Sequence, residues 1–180
     1  LRDVMMFCKN YMTMAEATRV YKKLGDGAVG IIAENPYLLC SSACGLSFLQ
    51  ADEIAKSMGY SPESEHRILS GIKYVLSYNA QMNGHTCLPI DKLIAAAAEL
   101  LEVSAQVVDS LVKSFLENEE LATYTDGEIF VMTNDVDDAE RYIAERLLKM
   151  DIEAPTFSIA DISAMIEKIE ASFGIKYARM

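Results

Sequence analysis

The chain has 180 residues, 51% of them hydrophobic, and a formal net charge of −11, which leaves ample apolar side chain for one or two small helical domains with a true core. No segment is apolar over the length that crosses a bilayer, and no basic stretch leads into an apolar run as in a secretory signal. Cys8, Cys40, Cys44 and Cys87 form no paired framework in so core-rich a chain, so a reducing, cytoplasmic location is expected.

Thr13-Met14-Ala15-Glu16 carries the pattern in which a threonine oxygen and a glutamate three residues on cap each other's end N–H groups. It predicts a helix from Met14 to about Leu24, stopped by Gly25. Ala28, Ile31 and Ile32 set the next helix against the same core, and these helices are read as the first hairpin unit. Its turn near Tyr11 and Met12 lacks glycine and is expected to hold phosphate poorly. Asn35-Pro36 reads as an N-cap followed by proline at the first helical position, opening a short helix toward Cys40 that carries Tyr37, Leu38 and Leu39 inward.

Gly45-Leu46-Ser47 follows as a tight turn in which Gly45 takes positive φ, and Phe48, Ala51, Ile54 and Ala55 then recur at helical spacing up to Gly59. A helix, a glycine turn and a second helix put the new helix's first N–H groups at an exposed corner, where their partial positive charge can face a phosphate. This is the helix-hairpin-helix device for gripping a DNA backbone without reading bases.

Ser61-Pro62 reads as the cap and first turn of a long helix with Ile68, Ile72, Val75, Leu76 and Asn79 on one face, broken at Asn83-Gly84. Beyond Thr86 come a short strand, helices at about 90–101 and 104–118, and strands at 121–125 and 128–132 joined by the two-residue hairpin signal Asp126-Gly127. That is the order of a winged helix-turn-helix module. Helices at about 136–150 and from Ser158, with Asp161 completing another capping box, close the chain. The expected fold class is mainly α, with tandem helix-hairpin-helix units over residues 1–60, a winged helix-turn-helix module with a small β wing over 61–135, and a helical connection over 136–180.

Charge argues against broad nucleic-acid binding, and its distribution matters more than its sum. The first 90 residues carry eight Lys/Arg and eight Asp/Glu, whereas the rest carry eight against nineteen, so all the excess acid follows the hairpins. Any DNA contact therefore belongs to the first half, and it is expected to be weak or cooperative. In the second helix of the winged module, Lys113, Gln106 and Asn118 stand against Asp109 and Glu117, a poor face for reading a major groove. The module is read as a packing or protein-contact unit.

Residues 21–55, YKKLGDGAVGIIAENPYLLCSSACGLSFLQADEIA, then RILSGIKYVL, NGHTCLP at 83–89 and DDAERYIAERLL at 137–148, occur in a telling order and spacing. Over nearly its whole length the chain resembles the N-terminal region of the RecD/TraA family of DNA helicases, relatives of the alpha subunit of exodeoxyribonuclease V. The resemblance implies a parent ATP-driven motor of DNA recombination and repair, moving 5′ to 3′ on single-stranded DNA. It implies ATP and Mg in an ATPase core following this region, single-stranded or forked DNA held through backbone phosphates, and nuclease-complex subunits among the partners. No GxxxxGK[ST] phosphate loop occurs in the sequence, so this chain alone is expected to lack a cofactor and ATPase activity. The start at Leu1 and the end at 175–180 read as those of a piece of a larger protein.

The candidate DNA contacts are Gly45, Leu46, Ser47 and Gln50, with Arg19, Lys22, Lys23 and Lys56 adding charge. Where the family usually has a second glycine this chain has Ser47, and Ser47-Phe48-Leu49-Gln50 is itself a capping box. Either the serine hydroxyl adds a hydrogen bond to a bound phosphate, or the cap is internally satisfied and the hairpin is scaffold. The alternative class of function is a protein-interaction and positioning module that docks the motor or a partner subunit without binding DNA itself. Cys40 and Cys44 with His66, His85 and Cys87 match structural zinc spacing poorly, so no metal is expected, and no catalytic arrangement is present.

Overall fold

A computed structural model of the protein describes residues 2–8, 10–153 and 159–177. Its contacts divide the chain into two units, Leu1–Asp138 and Ala139–Met180. The first unit opens with α1 (Arg2–Cys8) and α2 (Met14–Leu24), the latter begun by the Thr13–Glu16 capping box and ended at Gly25 with φ +69°. A 3-10 turn at Gly25–Gly27 leads into α3 (Ala28–Glu34). A second 3-10 turn, Pro36–Cys40, is capped by the Asn35 carboxamide oxygen, which accepts from the Tyr37 N–H. α4 (Phe48–Ser57) completes the hairpins.

Next come α5 (Glu65–Asn83), β1 (Leu88–Pro89), α6 (Ile90–Leu101), α7 (Ala105–Glu117), β2 (Ala122–Asp126) and β3 (Glu128–Met132). The strands form one antiparallel sheet in the order β1-β3-β2, with Pro89, Phe130 and Tyr124 in cross-strand register and Gly127 at φ +72° in the hairpin turn. The fold is mainly α with a small β wing. α8 (Asn134–Glu153) starts in the first unit and continues into the second, where α9 (Ile159–Phe173) follows.

α5 packs against α4, α6, α7 and the 36–40 turn, and its buried stripe of Ile68, Ile72, Val75 and Leu76 is the spine of the core. Tyr37 stacks on Phe48 at 6.0 Å and Phe48 on Tyr74 of α5 at 5.5 Å, so aromatic rings carry packing from the hairpin turn into that spine. One continuous apolar cluster runs from Val4 through Leu39, Ile54, Ile72 and Leu93 to Val131. In the second unit Tyr142, Leu147 and Ile152 of α8 and Ile162, Met165 and Phe173 of α9 are exposed.

Three sequence expectations need correction. Leu38 points outward, because 36–40 is a 3-10 turn whose three-residue period buries Pro36, Tyr37 and Leu39. The long helix begins at Glu65, capped by the Ser64 hydroxyl accepting from the Arg67 N–H, rather than at Ser61-Pro62. The first hairpin is α1, turn, α2; α1 was not anticipated, and α3 leads instead toward the second hairpin. Asn79 keeps its place at the end of that face, half-buried, with its amide turned back to donate to the Val75 carbonyl. Ser158, expected to cap the last helix with Asp161, lies outside the described residues.

Candidate nucleic-acid interface

Two helical segments offset by 34 residues build the site. Thr13, Glu16, Ala17, Val20, Lys22 and Gly25 of the first recur as Ser47, Gln50, Ala51, Ile54, Lys56 and Gly59 of the second. Each opens with the same reciprocal cap. The Thr13 hydroxyl accepts from the Glu16 N–H at 3.3 Å while the Thr13 N–H donates to Glu16 Oε2 at 2.7 Å. The Ser47 hydroxyl accepts from the Gln50 N–H at 3.3 Å while the Ser47 N–H donates to Gln50 Oε1 at 3.1 Å. Met12 and Leu46, just ahead of the caps, are both buried, the position of a hydrophobic staple.

The two caps meet. Gln50 Nε2 donates to Glu16 Oε1 at 3.4 Å, so the N-termini of α2 and α4 lie side by side. Hydrogen bonds from the Thr13 backbone and hydroxyl hold the Glu16 carboxyl below the usual carboxylate range, which keeps a negative charge at the mouth of the first hairpin. Gln50 puts a neutral amide at the equivalent place in the second. The two corners are therefore electrostatically different although their backbones repeat.

At the second corner Gly45 has φ +73°, a conformation that disfavours a side chain. Its N–H donates to the Ser41 carbonyl at 2.8 Å, and the Leu46 N–H donates to the Leu39 carbonyl at 3.1 Å. With Ser47 and Gln50 closed into the cap, the amides at 45 to 47 are not the unsatisfied donors the sequence suggested. Of the first three N–H groups of α4, that of Gln50 is taken by the Ser47 hydroxyl, and those of Phe48 and Leu49 have no acceptor among the described residues. Leu46 is buried as an anchor and does not face solvent. Arg19 lies across the turn, its Nε donating to the Cys44 carbonyl at 3.2 Å, and its guanidinium would sit 3.6 Å from a Cβ at Gly45.

The other basic candidates are placed less directly. Lys22 and Lys23 are exposed in the last turn of α2, one turn beyond Arg19. Lys56, on α4, pairs with Asp52 at 2.9 Å, so part of its charge is already answered. Arg19, Gly45, Ser47 and Gln50 are thus brought together, while Lys56 belongs to a different cluster.

Residues 1–87 match the family described as the ATP-dependent RecD2 DNA helicase HHH domain. Over these 87 residues the chain is matched to the helix-hairpin-helix region of RecD-type helicases, the N-terminal part of the resemblance read from the sequence. Within this RecD-type region the second hairpin is supported from beneath by a network that sequence reasoning missed. Asp52, on the buried stripe of α4, accepts from Arg67 Nε at 2.7 Å, from Arg67 Nη2 at 3.1 Å and from the Tyr37 hydroxyl at 2.7 Å. Arg67 Nη1 donates in addition to the Pro62 and Leu101 carbonyls, each at 2.9 Å. Burial pushes the Asp52 carboxyl up, but donors from Arg67, Lys56 and Tyr37 outweigh it and hold the group at about 2. Burial, and then the Asp52 carboxylate, raise the Tyr37 hydroxyl. A charged residue four positions from Phe48 on an apolar stripe was the available signal, since a buried carboxylate demands a partner.

Among the described residues no group of three or more His, Cys, Asp or Glu could hold a metal ion. Cys40 and Cys44 are free thiols, and burial pushes Cys40 up to about 11. His66 Nδ1 instead meets the Tyr60 hydroxyl at 3.2 Å. On α7, Lys113 is held by Asp109 at 2.6 Å, which leaves that helix without a free cation. No helix of the described residues is long and apolar enough to cross a membrane.

Proposed function

We infer that this chain holds DNA beside an ATP-driven helicase motor, gripping backbone phosphate at the second hairpin without reading bases. The observation that carries this reading is the corner at 44–49, where the free N–H groups of Phe48 and Leu49 open α4 and the exposed Arg19 guanidinium lies over Gly45. Gly45, Leu46, Ser47 and Gln50 shape the corner, Arg19 supplies charge, and Lys22 and Lys23 extend it along α2. Lys56 contributes from the far end of α4, weakened by Asp52. The first hairpin is the poorer site, because its cap closes on the Glu16 carboxylate itself, whereas the second closes on the neutral Gln50 amide and has Arg19 over its turn, with Glu16 reaching it only through that amide.

In this reading residues 1–60 are the DNA-facing hairpins, 61–135 a winged-helix module used for packing, and 136–180 a helical connection to the motor. The parent protein is a 5′ to 3′ helicase of recombination and repair in the cytoplasm, using ATP and Mg outside this chain, alone or with nuclease subunits, on single-stranded or forked DNA. A fluorescence anisotropy titration of both DNA forms at rising salt tests the contact. Binding that weakens by about one order per order of salt for each phosphate held is expected; no binding at low salt would count heavily against it.

A second reading, a docking module that does not touch DNA, is favoured by the exposed apolar residues of α8 and α9 and the acid after residue 90. Reversing Lys22 and Lys23 to glutamate separates the two: DNA affinity falls under the first reading and is unchanged under the second.

A further inference from the structure

On the wing, Pro89, Phe130 and Tyr124 sit in register across three strands, while their neighbours Leu88 and Val131 point into the core. Alternation along a strand therefore sets Phe130 and Tyr124 on the opposite face of the sheet, where Tyr124 is 55% exposed and the two ring centroids are 6.4 Å apart. An aromatic row away from the core is not needed to bury apolar surface.

Beside this row lies a groove of about 640 Å³ between the end of α5, the 84–87 loop, β1 and the start of α6, lined by Asn83, His85, Thr86, Lys92, Glu128 and Phe130 among others. That volume lies within the range of small-molecule sites and admits a nucleoside. Among the described residues the His85 ring, the Thr86 hydroxyl, the Lys92 ammonium and the Glu128 carboxylate hold no protein partner. The groove is thus lined by donors, acceptors and an aromatic ring, with one cation balanced by one anion.

We propose that this groove takes an unpaired base of single-stranded nucleic acid, stacked on Phe130 with its edge hydrogen-bonded by the surrounding polar side chains. A neutral heteroaromatic ring with donors and acceptors on its rim matches such a lining better than a phosphate does, since Glu128 offsets Lys92. Paired bases cannot enter, because their edges and faces are already occupied in the duplex. Every base has a π face, so the site tolerates sequence. Lys92 alone reaches the backbone, which makes the contact weakly dependent on salt, unlike a basic channel. The groove lies in the module that the charge argument assigns to packing, but that argument concerns phosphates and not a neutral base, so the site adds a contact to that module and stands or falls without the hairpin corner.

The test uses the whole 180-residue chain and a short single-stranded DNA carrying 2-aminopurine, titrated alongside the same strand with abasic sites and the same strand annealed as a duplex. Quenching of the 2-aminopurine is expected, together with about tenfold weaker binding of the abasic strand. Phe130→Leu, which keeps an apolar side chain on the strand, should abolish the quenching, and His85→Ala should weaken it. Lys22→Glu with Lys23→Glu should leave the quenching in place even if total affinity falls. Equal binding of the abasic and intact strands, or quenching untouched in Phe130→Leu with an unchanged melting temperature, would overturn the proposal.

Discussion

Arg67 holds both carboxylate oxygens of Asp52, at 2.7 and 3.1 Å, with side chains only 5% and 7% exposed. Because the same guanidinium also donates to the Leu101 carbonyl at the end of α6, one side chain ties the second hairpin to the helices that follow it. Removing a single partner leaves an uncompensated buried charge, so Arg67→Met or Asp52→Leu should each cost about 3–5 kcal/mol in urea denaturation. The double variant should cost clearly less than the two added together, and strict additivity would show that the pair is not coupled. Lys56→Ala removes only the solvent-facing end of the cluster and should cost under about 1 kcal/mol.

Acid should loosen the same joint. Asp52 has a folded-state pKa of about 2 against an ordinary value of 3.8, so its stabilisation is complete above pH 4 and disappears as pH falls toward 2. The amount is on the order of 2 kcal/mol. Asp52→Asn should flatten that limb of a stability-versus-pH curve measured by chemical denaturation, at the expense of lower stability near neutral pH. An unaltered acid limb in the variant would assign the loss to other carboxylates.

Gly45→Ala places a side chain at φ +73°, although the space beside Arg19 is of ordinary contact distance. Backbone strain rather than collision sets the cost, about 1–2 kcal/mol. Melting should drop by several degrees. If the corner grips DNA, affinity should fall in the same variant at a temperature where it remains folded.

Gly71→Ala tests the α5–α6 contact. A Cβ there would lie 2.7 Å from Leu101 Cδ2 and 3.0 Å from Cδ1, and Leu101 is itself buried and not free to swing aside. Overpacking of about 1–3 kcal/mol should exceed the gain of roughly 1 kcal/mol from better helix propensity. Net destabilisation in urea is therefore expected, and a stabilised variant would show that α6 yields easily.

Much of the local architecture was legible. Thr13 with Glu16 and Ser47 with Gln50 announced two capped helices, Asn83-Gly84 and Asp126-Gly127 marked a helix end and a hairpin, and both caps and both breaks are where they were read. The reading of 45–47 as free donors failed, because the acceptors, Leu39 in the 3-10 turn and Ser41 just after it, are placed by a geometry that proline-led helical patterns do not reveal. Lys56 looked like a free cation for a related reason: its partner Asp52 was not recognised as buried.

The sequence alone determined each cap, each glycine stop and the apolar stripe of each helix, since these depend on neighbours three or four residues away and on φ values open mainly to glycine. Only the tertiary structure decided that Glu16 meets Gln50, that Asp52 finds Arg67, and that Phe130 closes a groove with His85. Those pairings join residues 15 to 45 positions apart. They follow from how the helices stack, because burying a charge or a ring is worthwhile only once a partner from another element has been brought within reach.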